Sequence, residues 1–259
     1  MKIMTRVISI VSGKGGVGKT TVCINLAAAL SLKFQKKVMV IDCNITTSHI
    51  GLYLGMYYHP ITFNQVLKGE ASVMDAAYEY MDNLMVIPSS LSVKDLKGVD
   101  IGMIKNRIKE LYGKVDFVLL DSAPGLGREA SAVLRASDEV LFVTNSYLSS
   151  VIDILRCKET IRSDFMNTEP IGIVLNMSSR KDELRKDDIE EMLNLPVIEI
   201  VPLDKEIPKS LVLKKPVVVS NPSSRVGKRF YRLAKKIVEK DYKLEKGFFD
   251  KFKDVVGTF

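Results

Sequence analysis

The sequence predicts an α/β fold with an open, mostly parallel sheet flanked by helices on both faces, followed by a C-terminal amphipathic helix. Short apolar, β-branched runs alternate with helical patterns along the 259 residues, and each run stops at a polar or turn residue. No Pro/Gly/Ser-rich linker interrupts this alternation. Residues 1–240 are therefore predicted to form one domain, and residues 241–259 a charged connector and a terminal helix.

A glycine-rich segment joins the first predicted strand, RVISIV (Arg6–Val11), to the first predicted helix, TVCINLAAAL (21–30). This segment, GKGGVGKTT, has the pattern of a phosphate-binding loop. Its glycines let backbone N–H groups turn toward an anion, Lys19 reaches the outer phosphates, and the Thr20 hydroxyl can ligate Mg²⁺. The predicted nucleotide-binding residues of the loop are Gly13, Gly15, Gly16, Val17, Gly18, Lys19, Thr20 and Thr21.

The same glycines also satisfy the dinucleotide-binding pattern G-x-G-x-x-G, and Asp42 lies at the right distance downstream for a ribose contact. The dinucleotide-binding pattern gives no function to the Lys-Thr pair at 19–20. It also does not require the second aspartate that ends the apolar run DFVLLD (116–121). A phosphate-binding loop is the preferred interpretation, and a dinucleotide site is the alternative.

A second lysine, Lys14, begins the segment KGGVGKTT. This segment resembles the K-G-G-x-G-K-T-T motif of the deviant Walker A family of P-loop ATPases, the group of MinD, ParA, Mrp and the nitrogenase iron protein. The resemblance implies that Lys14 reaches across a dimer interface to the partner's nucleotide and stabilises charge on its phosphoryl oxygens. It further implies ATP and Mg²⁺ as cofactors, an ATP-dependent homodimer and ATP hydrolysis.

The run KKVMVID (36–42) predicts the second strand, which would end with Asp42 at the carboxyl edge of the sheet. By resemblance this is switch I, where the family usually has D-x-D and this chain has Asp42-Cys43-Asn44. The resemblance assigns Asp42 to the Mg²⁺ shell and Asn44 to the position that orients the attacking water. An amide orients water but cannot accept its proton, so we hypothesise slow hydrolysis. The alternative is that Asn44 is a neutral exchange in a loop.

The strand that ends at Asp121 is followed by SAPGLG (122–127), which resembles Walker B and switch II of the family. Asp121 would bind Mg²⁺ through water, and Gly125 would be the switch II glycine. MinD sequences often read D-S-P-A-G-I-E, whereas this chain has Gly127 in place of that Glu and Glu129 two residues later. The contacts made by the family's Glu are therefore in doubt here.

Three later runs predict further strands, EVLFVTN (139–145), PIGIVLN (170–176) and PVIEIVP (196–202). By resemblance, Asn176 reads the adenine edge, and the turn that contains Pro202 and Asp204 covers the base. An Asn at a strand end is otherwise a common cap or turn residue. The stretch TFNQVLKGEASVMDAAY (62–78) resembles the segment after switch I in MinD-like members, which favours these over ParA or Mrp.

The tail KGFFDKFKDVVGTF (246–259) is amphipathic. At about 100° per residue, six apolar side chains fall within one arc of roughly 120°, with lysines at its borders. The tail resembles the membrane-targeting helix that ends MinD-like proteins, and packing on the protein's own core is the alternative. Two tails in an ATP dimer would bind by avidity. The predicted membrane residues are Phe248, Phe249, Phe252, Val255, Val256 and Phe259.

Composition restricts where the protein is located and which roles its cysteines have. No apolar run is long enough to span a bilayer and no signal peptide is recognisable, so we expect a cytoplasmic protein bound peripherally to the inner face of the membrane. Cys23, Cys43 and Cys157 lack C-x-x-C spacing and are predicted to be buried, which argues against zinc, disulfides and the cluster-carrying relatives.

Family resemblance suggests that the protein positions the division site or a polar structure, together with an unknown regulatory partner. The net charge is +7, and the basic segment RVGKRFYRLAKK (225–236) leaves a competing class open. This alternative is a ParA-like, DNA-associated partitioning ATPase, and we consider DNA the less favoured partner.

Overall fold

The computed structural model describes residues 4–164, 167–179, 181 and 183–240. Its strands are β1 (Arg6–Val11), β2 (Val38–Asp42), β3 (Tyr78–Met81), β4 (Leu84–Ile87), β5 (Phe117–Asp121), β6 (Glu139–Thr144), β7 (Glu169–Ser178) and β8 (Val197–Pro202). Its helices are α1 (Lys19–Phe34), α2 (Ile50–Leu54), α3 (Phe63–Lys68), α4 (Ile104–Lys109), α5 (Arg128–Ala136), α6 (Leu148–Asp164), α7 (Lys186–Leu193), α8 (Glu206–Val212), α9 (Val217–Ser220) and α10 (Arg225–Glu239). Two 3-10 turns, Val93–Leu96 and Ile101–Met103, lie between α3 and α4.

The strands form one sheet in the order β3-β4-β2-β5-β1-β6-β7-β8. Every pair is parallel except β3 with β4. The carboxyl ends of the seven parallel strands therefore meet at one edge, where ligands bind in folds of this type. The register of β2 with β5 sets Asp42 beside Asp121, and that of β1 with β5 sets Ile10 beside Asp121. Asp121 therefore lies on the strand next to β1, which leads into the phosphate-binding loop, and Asp42 lies one strand further away.

Side chains of each strand alternate between two helical layers. Ile8 and Ile10 pack in the cluster formed with α1 and α10, whereas Val7 packs on the opposite face with α3, α4 and α5. Helices α6 and α7 continue this second layer over β6, β7 and β8. Because helices cover both faces, the central strands are mostly apolar, with few polar residues such as Ser9 and Glu199, and this pattern made them recognisable in the sequence.

The predicted fold class is confirmed, and the predicted central strands agree with the structure to within about two residues at their ends. Cys23, Cys43 and Cys157 are buried, as predicted. The sequence did not reveal β3, a short, partly exposed edge strand with little apolar patterning. The domain boundary at residue 240 stays a prediction, and the six membrane residues predicted in the tail lie outside the described residues.

No helix in the described part of the chain combines the length and apolarity needed to cross a membrane.

Arg6 connects three elements at the amino edge of the sheet. One guanidinium nitrogen lies 2.6 Å from Oε2 of Glu139 at the start of β6, and another donates to the carbonyl oxygen of Ile237 in α10 at 2.5 Å. The guanidinium carbon also lies 5.2 Å from the centroid of the Phe117 ring. The side chains of Arg6 and Glu139 are only 12% and 9% exposed. This buried pair therefore fastens the end of α10 to the sheet.

We expect Arg6→Ala to lower the free energy of unfolding by about 3–5 kcal/mol, because it leaves the Glu139 carboxylate buried without its counterion. Arg156→Ala is the matched control, since the Arg156–Asp153 pair is exposed and its loss should change stability by less than about 1 kcal/mol. Urea unfolding followed by circular dichroism measures both. Equal losses in the two variants would contradict the prediction.

Candidate functional site

The glycine-rich loop leaves β1 at the carboxyl edge of the sheet and ends where α1 begins. Gly16 and Gly18 have left-handed backbones, with φ of 79° and 89°. A Cβ atom at Gly18 would lie 2.3 Å from Nδ2 of Asn176, and one at Gly13 would lie 2.3 Å from Cβ of Asp153 in α6. The left-handed backbone and the close approach of Asn176 therefore both require glycine at position 18.

Asn176 lies against this loop. Its Nδ2 donates to the carbonyl oxygen of Val17 at 2.8 Å, and the residue is only 5% exposed. The β7–β8 register pairs Ser178 with Pro202, which brings the predicted adenine-side residues together beside the loop. In the turn after β8, Oδ1 of Asp204 accepts the backbone N–H of residue 206 at 3.0 Å. Asn176 thus stabilises the loop backbone, and its contact with a base stays a prediction.

The two lysines of the loop lie in opposite environments. Lys19, the first residue of α1, is 9% exposed. Lys14 is exposed, and its Nζ lies 3.5 Å from Oγ of Ser149 in α6. Among the described residues, the Lys14 ammonium has no carboxylate within ion-pair distance. Lys19 therefore belongs to the interior of the site, whereas Lys14 lies on its outer surface.

Thr20 and Asp121 are in direct contact. The Thr20 hydroxyl donates to Oδ2 of Asp121 at 2.6 Å, whereas the buried Oδ1 has no hydrogen-bond partner among the described residues. Burial raises the pKa of Asp121 to about 7; the nearby Lys19 ammonium opposes this rise and the Asp42 carboxylate adds to it.

These two side chains fit a magnesium site. Buried polar atoms in proteins are nearly always paired, so the bare carboxylate oxygen of Asp121 is an exception that a cation or its water shell would resolve. Mg²⁺ commonly takes one or two protein ligands and completes its shell with water and phosphate oxygens. The described residues include no cluster of three or more His, Cys, Asp or Glu side chains that could hold a metal ion.

Asp42 holds the segment that follows β2. Its Oδ2 accepts the Ser48 hydroxyl at 2.8 Å and the backbone N–H groups of residues 49 and 50 at 3.1 Å, and its Oδ1 accepts that of Asn44 at 3.1 Å. Burial raises the pKa of Asp42, and these hydrogen bonds oppose the rise. The side-chain oxygen of Asn44 accepts the Thr47 hydroxyl at 3.0 Å. Asp42 thus orders the predicted switch I loop, and its role near Mg²⁺ stays a prediction.

The predicted switch II loop contacts both other loops. The backbone N–H of Gly125 donates to the carbonyl oxygen of Ser12 at 2.9 Å, with Gly125 in a left-handed conformation. Gly127 precedes α5, and Glu129 in the first turn of α5 accepts the hydroxyl of Thr46 from the switch I loop. Glu129 therefore joins the two switch loops.

Sequence reasoning missed several residues that build this site. Ser12 supplies the carbonyl for switch II, Ser48 and Ser89 hold Asp42, and Asp153 packs against Gly13. The Ser89 hydroxyl donates to the backbone oxygen of Asp42 at 2.6 Å across 47 residues of sequence. The order of the strands brings Ser89 to Asp42, so no local sequence pattern predicts this contact.

Comparison with known proteins identifies a matching family and similar relatives. The family described as "ParA: NUBPL iron-transfer P-loop NTPase" matches residues 3–238. An uncharacterized ATP-binding protein of Methanocaldococcus jannaschii is 32% identical over 99% of this chain and 98% of its own length.

Two solved structures are similar over most of the chain. The cell division ATPase MinD of Pyrococcus furiosus superposes with a TM-score of 0.87 at 33% identity, covering 92% of this chain and all of that one. The septum site-determining protein MinD of Pyrococcus horikoshii, complexed with Mg-ADP, gives 0.86 at 31% identity, with 90% and 96% covered.

The raised pKa of Asp121 predicts a pH-dependent stability in the metal-free, nucleotide-free protein. Between about pH 4 and pH 7 the folded state keeps a proton that the unfolded state has released, so this carboxyl lowers stability as pH rises. Asp121→Asn removes this effect. We expect the variant to exceed wild type by on the order of 4 kcal/mol at pH 8 and to match it near pH 4.

Urea unfolding across this pH range measures the difference. The exposed Asp82 is the control, and Asp82→Asn should change stability by less than about 0.5 kcal/mol throughout. A difference between Asp121→Asn and wild type that does not vary with pH would contradict the prediction.

Proposed function

This chain belongs to the ParA/MinD family of P-loop NTPases, and on that premise we propose that it is a MinD-like ATPase switch. Proteins of this family bind ATP with Mg²⁺, and these are the cofactors of the proposed switch. In the proposed cycle, Mg-ATP drives dimerisation and membrane association, and slow hydrolysis reverses both.

The chemistry proposed for the site uses the buried half of the loop. Lys19 and the loop N–H groups would bind the outer phosphates, and Thr20 and Asp121 would hold Mg²⁺, directly or through its waters. Mg²⁺, when bound, neutralises charge on the phosphate oxygens. The bare oxygen of Asp121 and its contact with Thr20 support this assignment.

The observation that carries the switch proposal is the exposed Lys14 on the outer surface of the loop, opposite in environment to Lys19. A cation with no carboxylate partner in the described structure, beside a phosphate site, is suited to a nucleotide bound by a second copy. Loops that follow strands at the carboxyl edge also expose large apolar side chains, which a dimer interface would cover. These are Tyr57, Tyr58, Leu91, Val93, Tyr147, Leu148 and Leu203.

The amphipathic sequence of residues 246–259 supports membrane association, and we propose a peripheral position on the inner face of the cell membrane. Two tails in one dimer would bind more tightly than one, so membrane residence would report the ATP-bound state. From the MinD relatives we further propose a role in positioning the division site or a polar structure, through a regulatory protein partner.

A ParA-like, DNA-associated ATPase is the second candidate, because α10 is rich in arginine and lysine. Two of its cations are already engaged within the protein. Arg229 pairs with Glu199 at 3.0 Å, and Lys236 donates to the carbonyl oxygen of Ile198 at 2.5 Å. These two cations are therefore not free for contacts with DNA phosphates, and the preference for the MinD-like role rests on the MinD relatives.

The proposed cycle predicts that Mg-ATP converts the full chain to a dimer that pellets with liposomes, whereas Mg-ADP does neither. Truncation after Leu244 should abolish pelleting and leave the ATP dimer intact. Lys14→Ala should abolish both dimerisation and pelleting. The control Lys33→Ala changes an exposed lysine at the far end of α1 and should leave dimerisation and pelleting unchanged. Light scattering and co-sedimentation measure the two steps. A full-length ATP dimer that stays in solution would refute the membrane step.

Asn44 predicts a slow hydrolytic step. Because a carboxylate can accept the proton of the attacking water, we expect Asn44→Asp to raise the single-turnover rate by roughly tenfold or more. The new carboxylate would still accept the Thr47 hydroxyl that Asn44 accepts now, so the loop should keep its structure. Thr47→Val is the control for disturbance of this loop alone. An unchanged or lower rate in Asn44→Asp would exclude Asn44 as the cause of slow turnover.

A further inference from the structure

The cations of α10 fall into two groups. Arg229 and Lys236 lie beside the inner face of the helix and bind Glu199 and the Ile198 carbonyl of β8. That inner face is apolar and holds the helix on the sheet through Val226, Gly227, Phe230, Leu233, Ala234 and Ile237. These two cations therefore contribute to the docking of the helix.

The other four cations form a stripe on the outer face. Arg225, Lys228, Arg232 and Lys235 follow one another at intervals of three or four residues, so they lie along one side of the helix over about 15 Å. Arg225 and Lys228 are exposed and form no ion pair among the described residues. We call these four residues the outer basic stripe.

The remaining two members of the stripe differ in their partners. Nζ of Lys235 lies 3.8 Å from Glu239, and this pair, exposed on both sides, contributes little to stability. Nε of Arg232 lies 3.7 Å from the buried carboxylate of Glu199 and helps to neutralise it, although the Arg232 side chain is 58% exposed. Arg225, Lys228 and Lys235 are thus available to an anionic surface, with the exposed part of Arg232 between them.

The helix itself disfavours two of these charges. Arg225 and Lys228 lie in the first turn of α10, which contains no acidic residue. A helix N-terminus carries a partial positive charge, so cations there are unfavourable in the isolated chain. An external anion beside the stripe would remove this penalty.

The chain itself indicates which anionic surface this is. Helix α10 ends at Glu239, and the sequence continues with the connector and tail whose pattern predicts lipid binding. We propose that the outer basic stripe contacts the phosphates of anionic lipid headgroups while the tail inserts. This inference rests on the membrane association proposed above. The folded domain then sets the preference for anionic lipid, and the tail supplies the apolar anchorage.

The test is the partition of the full chain with Mg-ATP onto phosphatidylcholine vesicles with and without 30% phosphatidylglycerol. The stripe variant is Arg225→Gln/Lys228→Gln/Lys235→Gln, which leaves both contacts of Glu199 in place. The control is Lys37→Gln/Lys97→Gln/Lys114→Gln, which makes the same change in net charge at exposed lysines of other segments. Circular dichroism, Mg-ATP binding and dimer mass establish that all three proteins fold and dimerise.

We expect wild type to prefer the anionic vesicles and to lose that preference as salt is raised. The stripe variant should lose about tenfold to 100-fold in partition onto anionic vesicles, since each cation near such a surface contributes about fivefold. Its partition onto pure phosphatidylcholine should equal that of wild type, and the control should retain most of the wild-type preference. Equal losses in the two variants would show that net charge alone acts, and this would overturn the inference.

Two other outcomes separate the inference from its premise. If wild type pellets with neither vesicle, the proposed membrane association fails and the stripe proposal fails with it. If wild type pellets equally with both vesicles, membrane association stands and the stripe proposal fails. Retention on duplex DNA is measured in parallel at the same salt. Loss of DNA retention by the stripe variant, with vesicle partition unchanged, would assign the stripe to nucleic acid.

Discussion

The contact between Thr20 and Asp121 is the point on which the candidate site depends. It joins the first turn of α1 to the end of β5, and so ties the glycine-rich loop to the centre of the sheet. The carboxylate is buried, with one oxygen paired and the other bare. Because buried carboxylate oxygens are nearly always paired, the bare oxygen of Asp121 is the feature of this contact that fits a bound cation or its water.

Much of the fold could be predicted because its strands are buried on both faces. Runs such as 7–11 and 117–120 are mostly apolar, and polar residues follow them at the carboxyl edge. The strand β3 escaped prediction because an edge strand with one exposed face has a weak pattern. The short helices α2, α3 and α9 also escaped, since four to six residues are too few to show a helical period.

The residues of the candidate site also separate into those that the sequence predicted and those that it did not. The loop glycines, Lys14, Lys19 and Thr20 form a contiguous motif, so the sequence alone pointed to them. The Ser48 hydroxyl comes from the loop that follows Asp42 directly, whereas the Ser89 hydroxyl comes from the loop after β4, which only the sheet order brings to Asp42. Resemblance supplied Asn176 as a base contact, yet it could not reveal that the same amide holds the loop at Val17. The Asn176 amide therefore stabilises a loop that is 159 residues away in sequence, and its contact with a base stays a prediction.

The bond between Thr46 and Glu129 has a consequence for control of the switch. It links the loop after β2 to the first turn of α5, so a movement of the helix would be transmitted to that loop. In the cycle proposed above, a protein that displaced α5 would break this hydrogen bond and so act on the segment that carries Asn44. The proposed hydrolysis would then be controlled from the protein surface rather than at the phosphates.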